Sequence, residues 1–208
     1  TSAAALAEMM VGASFKAPQK KQHELGKTRL SVKALTLAGN DSGKSPISDL
    51  SFEIAAGEIL GIGGIAGNGQ EELLAALSGE ALSAPQMFQL NGENIGHLGP
   101  NARRTLGLLC APEERLGHAA APNMSLIENA LLTGALRKKL IKNGFLNWSS
   151  AEKFAKTIID EFDVRTPGTA NTAASLSGGN LQKFVIGREV LQDPDVLVVN
   201  QPTWGVDA

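Results

Sequence analysis

The chain has 208 residues, 43% of them hydrophobic, with a formal net charge of −2 and one cysteine. That length and apolar content suffice for one core, or a core with a subdomain, and the slight negative charge argues against a nucleic-acid binder. Cys110 alone excludes an intramolecular disulfide and suits a reducing compartment. No run of about eighteen apolar residues predicts a membrane span, and no basic segment precedes the N-terminal alanines as in a signal peptide. His23, His97 and His118 lack metal-ligand spacing with Cys110 or one another, so no metal site is expected from them.

In chain order, Leu30, Val32, Leu35 and Leu37 predict a strand, and Leu50, Phe52 and Ile54, alternating with Ser51 and Glu53, predict a second. The glycine-rich stretch from Gly39 to Gly43 is the expected turn. Ile59-Leu60-Gly61-Ile62 is a short apolar run that predicts a buried strand. It leads through Gly64, Gly67, Asn68 and Gly69 to Gln70 and Glu71, where a helix with Leu73, Ala76 and Leu77 on one face is predicted. Strand, glycine loop and helix in that order match the phosphate loop G-x-x-x-x-G-K-[ST], though alone they favour an ordinary strand-to-helix turn of any α/β protein. Gln70 stands at the lysine position and Glu71 at the Ser/Thr position, so the cation for the β- and γ-phosphates and the hydroxyl for magnesium are both missing. Glu71 and Glu72 suit the dipole of a helix start, yet they bring negative charge to where a triphosphate would lie. A like-charge contact at about 4 Å costs on the order of 4 kcal/mol at an effective dielectric of about 20. Further on, Gln89-Leu90-Asn91-Gly92 predicts a hairpin turn.

Glu113, in Ala111-Pro112-Glu113-Glu114-Arg115, reads from these residues alone as an exposed acidic turn as readily as a site group. Ser125-Leu126-Ile127-Glu128 and Ser149-Ser150-Ala151-Glu152 both carry capping-box spacing and predict two helix starts. The first helix is expected to end in Arg137, Lys138 and Lys139, complementing its dipole as a solvated basic end. The second should put Phe154, Ile158 and Phe162 on one face. Ser177, Gly178 and Gly179 then open a run in which Leu181, Phe184 and Val185 share a helical face. Glycines without Cβ, a serine hydroxyl and the unpaired N–H groups of a helix start can hold a phosphate. A bare Ser-Gly-Gly is also an ordinary helix cap after a glycine loop. Val196-Leu197-Val198-Val199 reads as a strand of a parallel sheet buried on both faces, followed by Asn200-Gln201-Pro202-Thr203.

The eight residues from Leu176 to Lys183, LSGGNLQK, resemble the signature motif of ABC ATPases, in the form typical of the second half of tandem sugar and nucleoside importers. With Gly-Asn-Gly-Gln in the loop and Gln-Pro-Thr after the last strand, the chain resembles the C-terminal nucleotide-binding domain of such importers from Leu30 onward. That resemblance implies an α/β P-loop fold with an antiparallel β-subdomain and a helical subdomain over about 112–175. It implies a domain over 30–208 that lacks its last strands and switch histidine. Thr1 to Thr28 resembles the end of a preceding ATPase half plus a linker, giving 1–29 as a separate piece.

The resemblance also carries site roles. Asn200 and Gln201 take the places of the magnesium-binding aspartate and the water-polarising glutamate, Glu113 that of a magnesium-contacting glutamine, and Asp207 that of the D-loop aspartate. An amide is a weaker magnesium ligand and no general base. Gly64, Gly67, Asn68, Gly69, Gln70 and Glu71 would form a degenerate phosphate loop. Ser177, Gly178, Gly179 and Asn180 would meet ATP and Mg2+ held by the N-terminal half. No aromatic lies between Phe15 and Phe52 to stack adenine. The implied partners are that half and membrane permease subunits, at the cytoplasmic face of the inner membrane. A pseudo-ATPase binding module and a soluble ABC ATPase outside transport are the alternatives, and the chain alone is expected to be inactive.

Overall fold

A computed structural model describes residues 24–37, 46–65 and 67–203. The expected Gly39–Gly43 turn, the segment up to His23 and the residues from Trp204 to Ala208, Asp207 included, lie outside the described residues.

β1 (Thr28–Leu37) pairs antiparallel with β2 (Ile47–Ala55) and with β3 (Phe88–Leu90), and β3 pairs with β4 (Glu93–Asn94), in the order β2-β1-β3-β4. The spacing of Val32 and Leu35, three apart yet both buried, is explained by a register shift between them, where Ala34 takes φ 48°. Asn91 and Gly92, at φ 50° and 88°, form the two-residue loop between β3 and β4, a turn that requires positive φ at both positions. α1 (Gln70–Ser78) lays Leu73, Ala76 and Leu77 into the core formed with Leu30, Val32, Phe88 and Leu90. α2 (Pro100–Leu106) leads into β5 (Leu108–Ala111), which pairs in parallel with β8 (Val196–Val199), Leu108 opposite Val196.

The helical part comprises α3 (Leu126–Gly134), the small β6–β7 hairpin (Ile141–Lys142, Phe145–Leu146), α4 (Trp148–Glu161) and α5 (Gly178–Val190). Its core gathers Leu126, Ala130, Leu140, Phe154, Ile158 and Phe184. Ser125 and Glu128 cap α3 reciprocally, and the two hydrogen bonds from Ser125 hold the Glu128 carboxyl below the usual carboxylate range.

Three expectations need correction. No capping box forms at Ser149, because Asn147 arrives two residues earlier, accepts from the Ser150 N–H at 3.1 Å and starts α4 at Trp148. Arg137 and Lys138 do not serve their own helix. Arg137 donates to the carbonyls of Gln192 at 3.0 Å and Asp193 at 2.6 Å, just past α5, and to those of Arg104 and Thr105 in the last turn of α2. Lys138 reaches Leu191 O at 2.8 Å. Finally, Ile59–Ile62 is not a buried strand. Ile59 is 97% exposed and Ile62 55%. A strand exists only where a neighbour supplies its hydrogen bonds, and among the described residues nothing pairs with this run. β8 is likewise paired only with β5 among them, and a groove of about 170 Å3 lies between Leu60, Ile62 and Leu197–Asn200.

Candidate functional site

At the start of α5, the Ser177 side chain accepts from the Asn180 backbone N–H at 3.4 Å and from Asn180 Nδ2 at 2.8 Å, while Asn180 Oδ1 accepts from the Arg165 N–H. A hydroxyl that accepts twice keeps its own proton for donation. Ser177 and Gly178 are exposed, and below them Leu181, Phe184 and Val185 are buried as the helical spacing requires. The turn is thus an open helix N-terminus on a fixed base, a geometry suited to an anion.

The glycine loop before α1 has the opposite character. Gln70 Nε2 donates to Ile65 O at 3.0 Å, Gln70 Oε1 accepts the Asn68 N–H at 3.0 Å, and Asn68 Nδ2 also donates to Ile65 O at 2.8 Å. The Gln70 amide lies so close over Gly64 that a Cβ there would run into Nε2. The Gln70 side chain therefore folds back into its own loop and takes up one of the loop's N–H groups. Gly67 and Gly69 supply the left-handed backbone at φ 84° and 98°.

Glu71, Glu113, Asn200 and Gly178 come together around a cleft of about 890 Å3, while Ser177, Gly179, Asn180 and Gln201 do not line it. The cleft wall carries Glu71, Glu72, Glu80, Glu113 and Glu114 against Arg115 and His118, a field unfavourable to a polyphosphate. Asn200 Nδ2 donates to Glu113 Oε2 at 3.5 Å, a contact that two ionised carboxylates would oppose. Gln201 is exposed with φ 50°. The Asn200–Glu113 pair offers a metal one carboxylate and one neutral amide, a weaker set for magnesium than two carboxylates.

Periodicity also held a signal for something the motif search passed over. Arg188, Glu189 and Gln192 continue the buried phase of Leu181, Phe184 and Val185, and all three are buried. Glu189 accepts from Arg104 in a short ion pair, from Thr133 at 2.9 Å, from Arg188 Nε at 2.9 Å and from Gln192 at 3.2 Å. Arg188 donates further to Asn129 O at 3.0 Å and Ala119 O at 2.7 Å, so one network ties α2, α3 and α5 to the segment after β5.

Beside this network, burial pushes the Cys110 thiol from 9.0 up to about 12, with Arg104 opposing the shift. Three pKa units leave roughly a thousandth of the thiolate of an ordinary cysteine, so iodoacetamide at pH 8 should label the native chain about a thousandfold more slowly than the urea-unfolded chain. Equal rates would place Cys110 in an environment unlike this one.

Known proteins resemble the chain along most of its length. A family model described as ABC transporter matches residues 47–204. The guanosine import ATP-binding protein NupO of Bacillus subtilis (strain 168) is 38% identical over 204 residues, covering 97% of this chain and 40% of that protein. The nucleoside import ATP-binding protein NupA of Lactococcus lactis subsp. cremoris (strain MG1363) is 36% identical, with 97% and 40% covered. The glucose import ATP-binding protein TsgD13 of Haloferax volcanii is 32% identical, with 99% and 38% covered. The chain therefore spans about two fifths of the length of these relatives. Among solved structures, a nucleotide-free ATP-binding cassette from an ABC transporter superposes with a TM-score of 0.64 at 18% identity, covering 86% of this chain and 71% of that one. The architecture is thus an ABC ATPase fold.

Proposed function

The chain belongs to the ABC transporter family, and on that premise we propose that it is the C-terminal nucleotide-binding half of a tandem importer ATPase for sugars or nucleosides. It lends Ser177, Gly178, Gly179 and Asn180 to ATP and Mg2+ held mainly by the N-terminal half, while its own pocket is degenerate. The observation that carries this reading is the contrast between the two anion-binding turns. One is open and capped for donation, and the other is filled by its own Gln70.

At the open turn the work is electrostatic: the Ser177 hydroxyl and the N–H groups of the first turn of α5 face the charge that develops on a transferring phosphoryl group. Those groups are already oriented by Asn180 and by the buried stripe beneath, so little reorganisation accompanies the reaction. The relatives' names and their greater length support a longer polypeptide with this chain as one part. On this reading 1–29 ends the preceding half, 30–208 is the domain, and about 112–175 is the helical subdomain that meets a permease. The protein then sits peripherally at the cytoplasmic face of the membrane. Among the described residues no helix is long and apolar enough to cross one.

Because Gln70, Glu71, Asn200 and Gln201 depart together, restoring one group should not restore function, since positioning, metal and water orientation act as a unit in phosphoryl transfer. In the full-length ATPase with its N-terminal site disabled, Gln201→Glu should release no phosphate above background. Measurable turnover from that single change would contradict the degenerate assignment of this pocket.

A further inference from the structure

The segment after β5 touches α5 at both of its ends. Near the C-terminal end, buried Arg188 donates to Ala119 O at 2.7 Å. At the N-terminal end, Arg115 Nη1 donates to Gly178 O at 3.0 Å, across 63 residues of sequence. The guanidinium lies flat enough against the helix start that a Cβ on Gly178 would stand 3.1 Å from Nη1 and 3.6 Å from Cζ. Between these contacts the segment is closed on itself, with the Ala119 N–H on Glu114 O at 3.0 Å and the Ala120 N–H on Arg115 O at 2.8 Å. It is fastened to α3 as well, where Asn129 Oδ1 accepts the Ala121 N–H at 2.8 Å and Asn129 Nδ2 donates to Ala121 O at 3.1 Å. Two residues before Arg115, Glu113 meets Asn200 at the end of β8.

The carbonyl of Gly178 and the N–H of Gly179 belong to one planar peptide unit. Holding that carbonyl fixes the direction of that N–H, one of the donors a helix start leaves unpaired. Glycine on both sides of the unit gives the backbone there more conformational freedom than at any other pair in the helix, so an external hold has the most to restrain at this point. We propose that Arg115 is a positioning residue: through Gly178 O it aims the Gly179 N–H of the signature turn, and it couples that aim to the loop carrying Glu113. The proposal rests on the reading that this turn serves an ATP site completed by the partner half. The planar guanidinium matters more than its charge, because a hydrogen bond to a carbonyl sets orientation whereas a charge near a helix start acts without it.

The test is steady-state ATP hydrolysis by the full-length ATPase carrying Arg115→Ala, Arg115→Gln, Arg115→Lys or Ser177→Arg, with kcat and KM for Mg-ATP measured separately. Arg115→Ala should lower kcat about tenfold with KM changed by less than about twofold, the pattern of a misaimed donor group rather than a lost ground-state contact. Arg115→Lys, which keeps the charge and a donor but loses the planar fork, should recover only part of kcat, and Arg115→Gln, whose amide is too short to reach Gly178 O, should recover none. In this chain, hydrogen exchange at the amides of 179–182 should quicken in Arg115→Ala while the melting temperature stays within about 2 °C of the parent, the range of a small surface change. A raised KM at unchanged kcat would overturn the proposal, as would full recovery of kcat by lysine. Unchanged kcat in Arg115→Ala beside an inactive Ser177→Arg would overturn it and leave the signature reading standing. Unchanged turnover in Ser177→Arg would remove the reading beneath it.

Discussion

In an importer reconstituted with its N-terminal ATPase half intact, Ser177→Arg should abolish most ATP-driven uptake, while Gln70→Ala should retain at least about half of it. The two lesions lie in one domain and touch different turns. Arginine at 177 replaces a hydroxyl that accepts from Asn180 at 2.8 Å, and so removes both the cap of α5 and the donor aimed outward from it. It also puts a bulky side chain where the partner's phosphate would meet the helix start, removing stabilisation specific to the transition state. Gln70→Ala empties a loop whose own amide already occupies it through bonds to Ile65 O and the Asn68 N–H. Nothing on the reaction path passes through that loop on this account. The opposite ranking would mean that the loop from Gly64 to Glu71 is the active element. Near-normal uptake from both variants would favour an inert binding module.

A comparably large effect, on stability, is expected at Glu189. Its carboxylate is fully buried and takes hydrogen bonds from Arg104, Thr133, Arg188 and Gln192. Removing it leaves Arg188, itself 2% exposed, as an uncompensated buried cation, because a guanidinium does not give up its proton at ordinary pH. Glu189→Ala should therefore cost about 3–5 kcal/mol in urea unfolding, a large share of the stability of an ordinary domain. Replacing Arg188 and Glu189 together by apolar residues of similar volume should cost much less. If the single and the double replacement lost equal stability, the network would be contributing packing rather than charge pairing.

Much of the fold was legible because its signals are local. The period-two pattern of β2, the Asn91-Gly92 turn, the Ser125–Glu128 box and the buried stripe of α5 each depend on residues within a few positions of one another. Ile59–Ile62 misled because its apolar run says only that the segment is fit to be a strand, and hydrogen-bond partners are a property of topology. Ser149 misled because two competing caps lay within three residues, and the Asn147 carboxamide reached the Ser150 N–H first. The basic residues after α3 suit the end of their own helix by sequence, yet tertiary packing turns Arg137 onto carbonyls of α2 and of the residues just past α5.

At the site, the residue types at Gln70, Asn200 and Gln201 were plain in the sequence, and so was the chemistry they lack. That Gln70 folds into its loop was not, since a missing lysine is equally compatible with an empty loop. Arg188 and Glu189 were half visible. Their phase on α5 marked them as buried, but that their partners are Arg104, Thr133 and Asn129 depends on contacts that span 56 to 85 residues.

The central claim is that this domain's own pocket holds no productive nucleotide while its signature turn serves another. Calorimetric titration of Mg-ATP into this chain tests it most directly, with Ser177→Arg titrated in parallel as a control for binding at the signature turn. No micromolar, magnesium-dependent binding is expected from either protein, because Gln70 occupies the loop and, on this reading, Asn200 stands in place of the metal-binding carboxylate. Micromolar affinity that requires magnesium and persists in Ser177→Arg would contradict it.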